Sequence, residues 1–543
     1  MIKGKKRGFL LTFFIIIIFF TSTSCTNVTE QSNEKIKESQ EENIVPVSGG
    51  TLSFSTLNPA HLIPLLNQEE ENYYMMKLIF EPLITLDEKN TPQPALAESW
   101  TVQDNGNKIL FHLRKNIFWH DGESFNAEDV KFTLDALKHK KVDSPYKSYV
   151  ENIANYQVVD NFTIEVIFSK GKVGHLENFI FPILPAHRYE KVEEVVTAHK
   201  WDPIGTGPYR FEKYQRNKSI ILKTNEKYWG KVPYIEKILI KIRNTPEEII
   251  KSFESKDTDL LKAKDLDWDR FTEDKNLCIY SYVTQDDNFI ALNHNNELFQ
   301  DKNVRKAIQI AINRKKILKD IYLGQGEISD VPISPNSWLY NKEQKPFPFQ
   351  PEKAKQLLER SGWKDSNHNE YVDKEFPTGK KEFSFDLIIN KDNSIRIQEA
   401  NKIQRYLKNI GIKVNIVSLS TEQIQQKMES KDFDAILTGW SLSFVPDLSF
   451  AFHSNEIEQG KNFISYRNSK VDQLLLSTAR TYEEKERKNQ YNKLQDKIIQ
   501  ELPYIHLYFN KSAIIVNNRI KGPIHPTDYN IFNNIEQWYI KYK

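Results

Sequence analysis

Between Phe383 and Trp440 the chain reads as strand, helix, strand, helix, strand, and that order admits few folds. Phe383 to Asn390 (FSFDLIIN) is a strand-like apolar run. Ile395, Ala400, Ile403, Leu407 and Ile410 then recur at helical spacing until Gly411 supplies a stop. Ile412, Val414 and Ile416 alternate as a strand does, Thr421 to Ser430 reads as a polar helix, and Phe433 to Gly439 as a further strand. Such a β-α-β-α-β unit builds a parallel sheet with right-handed crossovers. Ligands of such sheets bind beyond the carboxyl ends of the strands, which here are Asn390, the Leu419-Ser420 corner and Gly439-Trp440.

Two further helices precede this unit. Asp301 can cap one whose inner face is Val304, Ala307, Ile308, Ala311 and Ile312, and Pro351 opens another that ends at Gly362. Single cores stop growing at roughly 250–300 residues, so a chain of 543 implies at least two lobes. Cys25 and Cys278 are the only cysteines, and Cys278 sits among apolar residues as a buried thiol would, so no disulfide framework is expected.

The N-terminus reads as an export signal. Lys3, Lys5, Lys6 and Arg7 precede the apolar run Phe9 to Phe20, then Thr21-Ser-Thr-Ser24 and Cys25. That run is shorter than the roughly 20 residues of a membrane span. Residues 25–48, rich in Glu, Lys, Ser and Asn, cannot bury enough surface to order themselves and read as a tether. The formal charge of +2 includes the four basic residues of the signal, so the body is near −2 and lacks the basic footprint of a nucleic-acid binder.

Pro203 to Gly230 (PIGTGPYRFEKYQRNKSIILKTNEKYWG) reads as a turn at Gly205, Gly207 and Pro208, which positive φ at glycine would permit, followed by a hairpin with one wet face. Leu96 to Leu137 contains Leu-Ala-x-x-Trp, a strand ending in Leu113-Arg114, a Trp119-His-Asp-Gly122 turn and a helix start at Ala127-Glu-Asp-Val130. Asn126 can cap that helix, with Asp129 at its third position. In combination these segments resemble the solute-binding proteins that serve bacterial ABC importers of oligopeptides, dipeptides and nickel. VRKAIQIAINRKKI before Tyr-Leu-Gly-Gln-Gly, and Glu501-Leu-Pro-Tyr-Ile-His-Leu507, extend the resemblance over the chain from Gly49 onward.

The resemblance implies an α/β, two-lobed periplasmic-binding-protein-like fold of type II with an additional domain in the N-terminal half. The expected division is a signal peptide over 1–24, a tether over 25–48, lobe I over 49–88, 203–291 and 504–543, the additional domain over 89–202, and lobe II over 292–503. It also implies a lipoprotein whose Cys25 is acylated, although Ser22 stands where the pattern prefers an aliphatic residue; the alternative is an ordinary secretory signal cleaved after Ser24.

For the site, the resemblance singles out Gly439, Trp440, Ser441, Ser443 and Asp447 in the loop after the last strand, and Glu70, Glu71 and Asn72 from the facing lobe. His506 and Tyr508 alternate on a strand near the expected hinge. Peptide binders of this kind usually carry Asp three residues after the Gly-Trp tryptophan to pair with the ligand's α-amine. Ser443 stands there, and Asp447, Glu70 or Glu71 would have to substitute.

The implied function is an extracytoplasmic, membrane-anchored monomer that captures peptides by closure and passes them to a membrane permease. A receptor for a metal chelate or oligosaccharide, and a surface sensor or adhesin retaining the fold, are the alternatives. No cofactor or metal is expected. His-Glu-x-x-His, Cys-x-x-Cys, Gly-x-Ser-x-Gly and phosphate-loop patterns do not occur, and Asp365-Ser-Asn-His-Asn369 lacks the glycine and terminal glutamate of a calcium loop, which argues against an enzyme.

Overall fold

The structure, a computed structural model, describes residues 45–542 except 67–68, 264–267 and 446. The signal, Cys25 and most of the tether therefore lie outside the described residues.

The parallel unit forms as its pattern implies. Strands Ser384–Asn390, Lys413–Leu419 and Ala435–Ser441 alternate with helices Ser394–Lys408 and Thr421–Ser430, and Ser384–Asn390 pairs in parallel with both neighbours. The helix ends have local causes. Asn393 accepts the Arg396 N–H, Ser420 and Gln423 form a capping box, and Gly411 takes the positive φ of 82° that ends a helix without strain.

These strands belong to one eleven-stranded sheet that runs through the body of the protein. At its centre two long strands, Leu277–Leu292 and Tyr504–Asn517, lie antiparallel. Leu277–Leu292 then pairs with Ala435–Ser441, while Tyr504–Asn517 passes through Leu260–Ala263 to Thr51–Leu57, Lys237–Arg243, Ser219–Thr224 and Tyr209–Gln215. The central ladder breaks register twice. Val283 faces Lys511 and Asp287 faces Phe509, so 284–286 oppose a single residue; a second shift follows Asn288.

Separate apolar cores flank this break. One gathers Leu52, Phe111, Phe179, Ile240, Val516 and Trp538; the others gather Phe289, Ile308, Leu387, Ile403, Ile436 and Leu494. The two central strands run continuously from one side of the break to the other. Extra residues in one strand twist and bend it, so the break is the natural place for two lobes to move.

A separate antiparallel sheet, ordered Ala97–Gln103, Lys108–Leu113, Thr163–Phe168, Ile153–Asp160, sits in the N-terminal half. Its crossover helix Ala127–Lys138 starts on a capping box between Asn126 and Asp129. The Asp129 carboxylate also accepts the Trp119 indole N–H and the Ala186 N–H, tying three loops to one helix end.

The turn at Gly205-Thr-Gly-Pro208 has a different physical cause from the one its glycines suggest. Neither Gly205 nor Gly207 is at positive φ. A Cβ on Gly205 would instead stand 1.9 Å from the Ile79 carbonyl oxygen, and one on Gly207 2.7 Å from it. Gly207 and Tyr209 donate to the carbonyls of Ile79 and Leu78. The neighbouring residues close on Glu81, whose buried carboxylate accepts from Thr206 at 2.8 Å, Tyr228 at 2.8 Å and Trp229 at 2.9 Å. The segment is thus a clamp on residues 78–81, and close backbone approach is what excludes larger side chains.

Two smaller expectations also resolve. Cys278 is half-buried rather than buried, 3.6 Å from the Asn518 side-chain oxygen. The Asp365 carboxylate accepts the backbone N–H groups of Asn369 and Glu370, closing a polar turn on itself.

Candidate functional site: a cavity between the cores

Gly439 and Trp440 stand near the carboxyl end of Ala435–Ser441, opposite Asn288 and Asp287 of the central strand. A Cβ on Gly439 would lie 2.7 Å from the Asp287 carbonyl oxygen and 3.2 Å from both Arg396 and Asn288, so the close approach there is between strands. Trp440 is held by rings on three sides, with centroids at 4.2 Å to Phe289, 4.9 Å to Tyr504 and 5.3 Å to Phe450.

Beyond Ser441 the chain leaves the sheet and reaches the other core. The Leu442 N–H donates to the Gln285 carbonyl at 2.9 Å. The Ser443 hydroxyl donates to the Tyr149 hydroxyl at 3.2 Å, and Phe444 lies edge-on to Tyr529 at 5.4 Å. Asp447 accepts the Ser449 N–H at 2.8 Å, which fixes one of its oxygens at the start of a short helix.

This loop forms one wall of a cavity of about 580 Å³. Tyr149, Glu151, Lys172, His175 and Asn178 face it from the N-terminal half, and Trp338, Lys461 and Arg487 from the other side. Its size falls within the usual range for small-ligand sites. The buried ion pair between Glu177 and Arg487 joins opposite walls. Outside that pair the lining carries Glu151 and Asp447 against Lys172 and Lys461, so acid and base balance. Burial, reinforced by the Arg487 cation, holds the His175 ring well below its ordinary range, leaving it neutral at physiological pH.

Of the residues singled out by sequence, Gly439, Trp440, Ser441, Ser443 and Asp447 come together on this cavity. His506 and Tyr508 lie elsewhere. His506 is fully buried with Nδ1 3.0 Å from Asp287, and Tyr508 donates to Glu399 at 2.8 Å in a buried network with Arg396 and Tyr322. Asn72 is buried and donates to Glu69 at 2.6 Å, away from the cavity lining. The side chains of Glu70 and Glu71, like Cys25, lie outside the described residues. Among the described residues no three His, Cys, Asp or Glu side chains converge to hold a metal.

Sequence reasoning missed Tyr149, His175, Glu177 and Arg487. One signal existed for Arg487. It extends the buried stripe Tyr491, Leu494, Ile498 by one turn on an otherwise charged helix, so it faces inward.

Comparison with known proteins follows the same outline. The family model described as "Bacterial extracellular solute-binding proteins, family 5 Middle" matches residues 91–461. The oligopeptide-binding protein AppA of Bacillus subtilis (strain 168) is 29% identical over 551 residues, covering 99% of both chains. The solved structure of AppA from Bacillus subtilis in complex with a nonapeptide superposes with a TM-score of 0.66 at 28% identity, covering 91% of this chain and 100% of that one. NikZ from Campylobacter jejuni in complex with Ni(L-His) superposes with a TM-score of 0.68 at 25% identity, covering 90% and 99%.

Proposed function

Because the chain belongs to the bacterial extracellular solute-binding proteins of family 5, we propose that it is the receptor of an ABC importer and encloses a peptide in the cavity beside Trp440. The observation that carries the peptide reading is the balanced polar lining. Glu151 and Asp447 stand with Lys172 and Lys461 around exposed strand-end amides, which suits a zwitterion rich in amides. Ser443 brings no charge to an α-amine, and one oxygen of Asp447 already accepts the Ser449 N–H, so the peptide is held mainly through its backbone. Relatives support the class, since AppA holds a nonapeptide.

Capture is by closure, driven by the ligand's higher affinity for the closed form. The register break at 284–286 supports a hinge there, so the division into lobe I over 49–88, 203–291 and 504–543, the additional domain over 89–202 and lobe II over 292–503 shifts at its inner edges, since Phe289, Ile290, Tyr504 and Leu507 pack in the cores beyond the break. Binding involves no covalent chemistry. Cys25 carries the lipid that anchors the mature monomer outside the cytoplasm, and residues 25–48 give it reach to the permease.

Mass spectrometry of material released when the purified protein is denatured tests the ligand class. Peptides are the expected cargo. A metal chelate or an oligosaccharide in stoichiometric amount, without peptide, overturns the reading.

A further inference from the structure

Glu177 stands in the short helix Leu176–Phe179, whose Phe179 is part of the first apolar core. Arg487 stands on Glu484–Glu501, whose Tyr491 is part of a core on the other side of the sheet break. Arg487 Nη1 lies 2.9 and 3.0 Å from the two carboxylate oxygens, and the side chains are 5% and 1% exposed. The guanidinium is flanked by Trp338 at 5.5 Å and Tyr491 at 5.8 Å, while its Nε has no acceptor. Glu177 is thus the one carboxylate paired with this cation among the described residues. Other direct contacts cross the same gap: the Trp338 N–H donates to the Lys89 carbonyl at 2.7 Å, and Ser443 meets Tyr149.

A buried pair within one rigid body is static, but a pair that joins two bodies exists only while they are together. On separation both groups regain water, and on closure each is desolvated and depends on the other. Removing one partner then leaves a buried charge unpaired in the closed form alone, and that penalty corresponds to a hundredfold or more in an equilibrium. Replacing both partners with apolar side chains removes the penalty.

We propose that Glu177, in the additional domain that shares its apolar core with lobe I, and Arg487, in lobe II, form a latch across the cavity, a positioning pair that sets the closed-to-open ratio through contact with each other rather than with ligand. This rests on the two-lobe closure proposed above but not on the identity of the solute. The latch holds the walls in register around the cavity, so ligand binding is added to a closing bias already present in the chain.

Small-angle scattering on ligand-stripped protein tests it, after a cooperative melt has shown each variant to be folded. Glu177→Gln, which preserves shape, and Arg487→Met should each lower the closed-to-open ratio about a hundredfold and raise the radius of gyration. The double variant Glu177→Leu/Arg487→Met should return it towards the wild-type value. A single variant with the wild-type scattering curve, or a double variant as open as the singles, overturns the latch. Should a single variant fail to melt cooperatively, Arg487→Lys, which keeps the charge but places it on a shorter side chain, is measured in its place against the same two outcomes. Identifying a non-peptide cargo would leave this result standing, so failure of the latch and failure of the ligand assignment are separable.

Discussion

Substitution of Glu81 offers a quantitative check on why the Pro203–Gly230 segment exists. Burial raises the Glu81 carboxyl to about 7, against the hydrogen bonds from Trp229, Tyr228 and Thr206 and the Arg114 cation, which pull the other way. The folded protein holds this proton more tightly than the unfolded chain. Stability therefore falls as pH rises between the unfolded value of 4.5 and the folded value of about 7, and is flat with respect to this group on either side. A shift of that size, at 1.36 kcal/mol per pH unit, is about 3 kcal/mol. Glu81→Gln retains the shape: one amide oxygen can accept from Thr206 and Trp229, and the amide N–H can donate to a turned Tyr228 hydroxyl. Urea unfolding from pH 4 to pH 8.5 should show wild type and variant alike at the acid end. The variant should gain up to about 3 kcal/mol over wild type by the alkaline end. Parallel pH profiles would mean that the carboxyl ionises without penalty, and the account of the clamp as a dry hub would be wrong.

The same clamp makes Gly205→Ala severe: with Ile79 oxygen 1.9 Å from the new Cβ, a loss of about 3 kcal/mol or more is expected in urea titrations, and under 1 kcal/mol would show that residues 78–81 yield freely. Cys25→Ser should release the protein from membranes or block its processing while leaving the described fold intact, and unchanged partitioning and mature mass would remove the lipid anchor from the proposal. Calorimetry with matched free and N-acetylated peptides should show roughly a tenfold loss or less on acetylation, since Ser443 brings no charge. A loss above a hundredfold that Asp447→Asn abolishes would show a carboxylate still reading the amine.

What the sequence made legible divides by the distance over which each signal acts. The β-α-β-α-β unit was readable because its signals are local: apolar spacing within each element and Gly411 as a stop, with the helix starts fixed by Asn393 with Arg396 and Ser420 with Gln423 within three residues of one another. The Asn126–Asp129 box was readable for the same reason. The glycines of 205–207 were legible as constrained but not as to cause. Positive φ is a local property, whereas the obstruction is Ile79 oxygen, more than a hundred residues away in the chain.

The site shows the same limit more sharply. Trp440 and Ser443 were identifiable because they lie in one loop with a recognisable neighbourhood, but what Ser443 does depends on Tyr149, which nothing near either residue announces. His506 and Tyr508 are two residues apart on one strand, but the register shift at Leu507 turns them to different cores, His506 to Asp287 and Phe289 and Tyr508 to Glu399 and Tyr322, which strand alternation alone does not foretell. Glu177 and Arg487 are 310 positions apart, one in an apolar stretch and the other on a charged helix. The inward position of Arg487 is readable from its helix, but nothing along the chain names Glu177 as its partner. The proposed latch is therefore the part least accessible to reading along the chain, while the parallel unit that ends at Trp440 is the part most accessible.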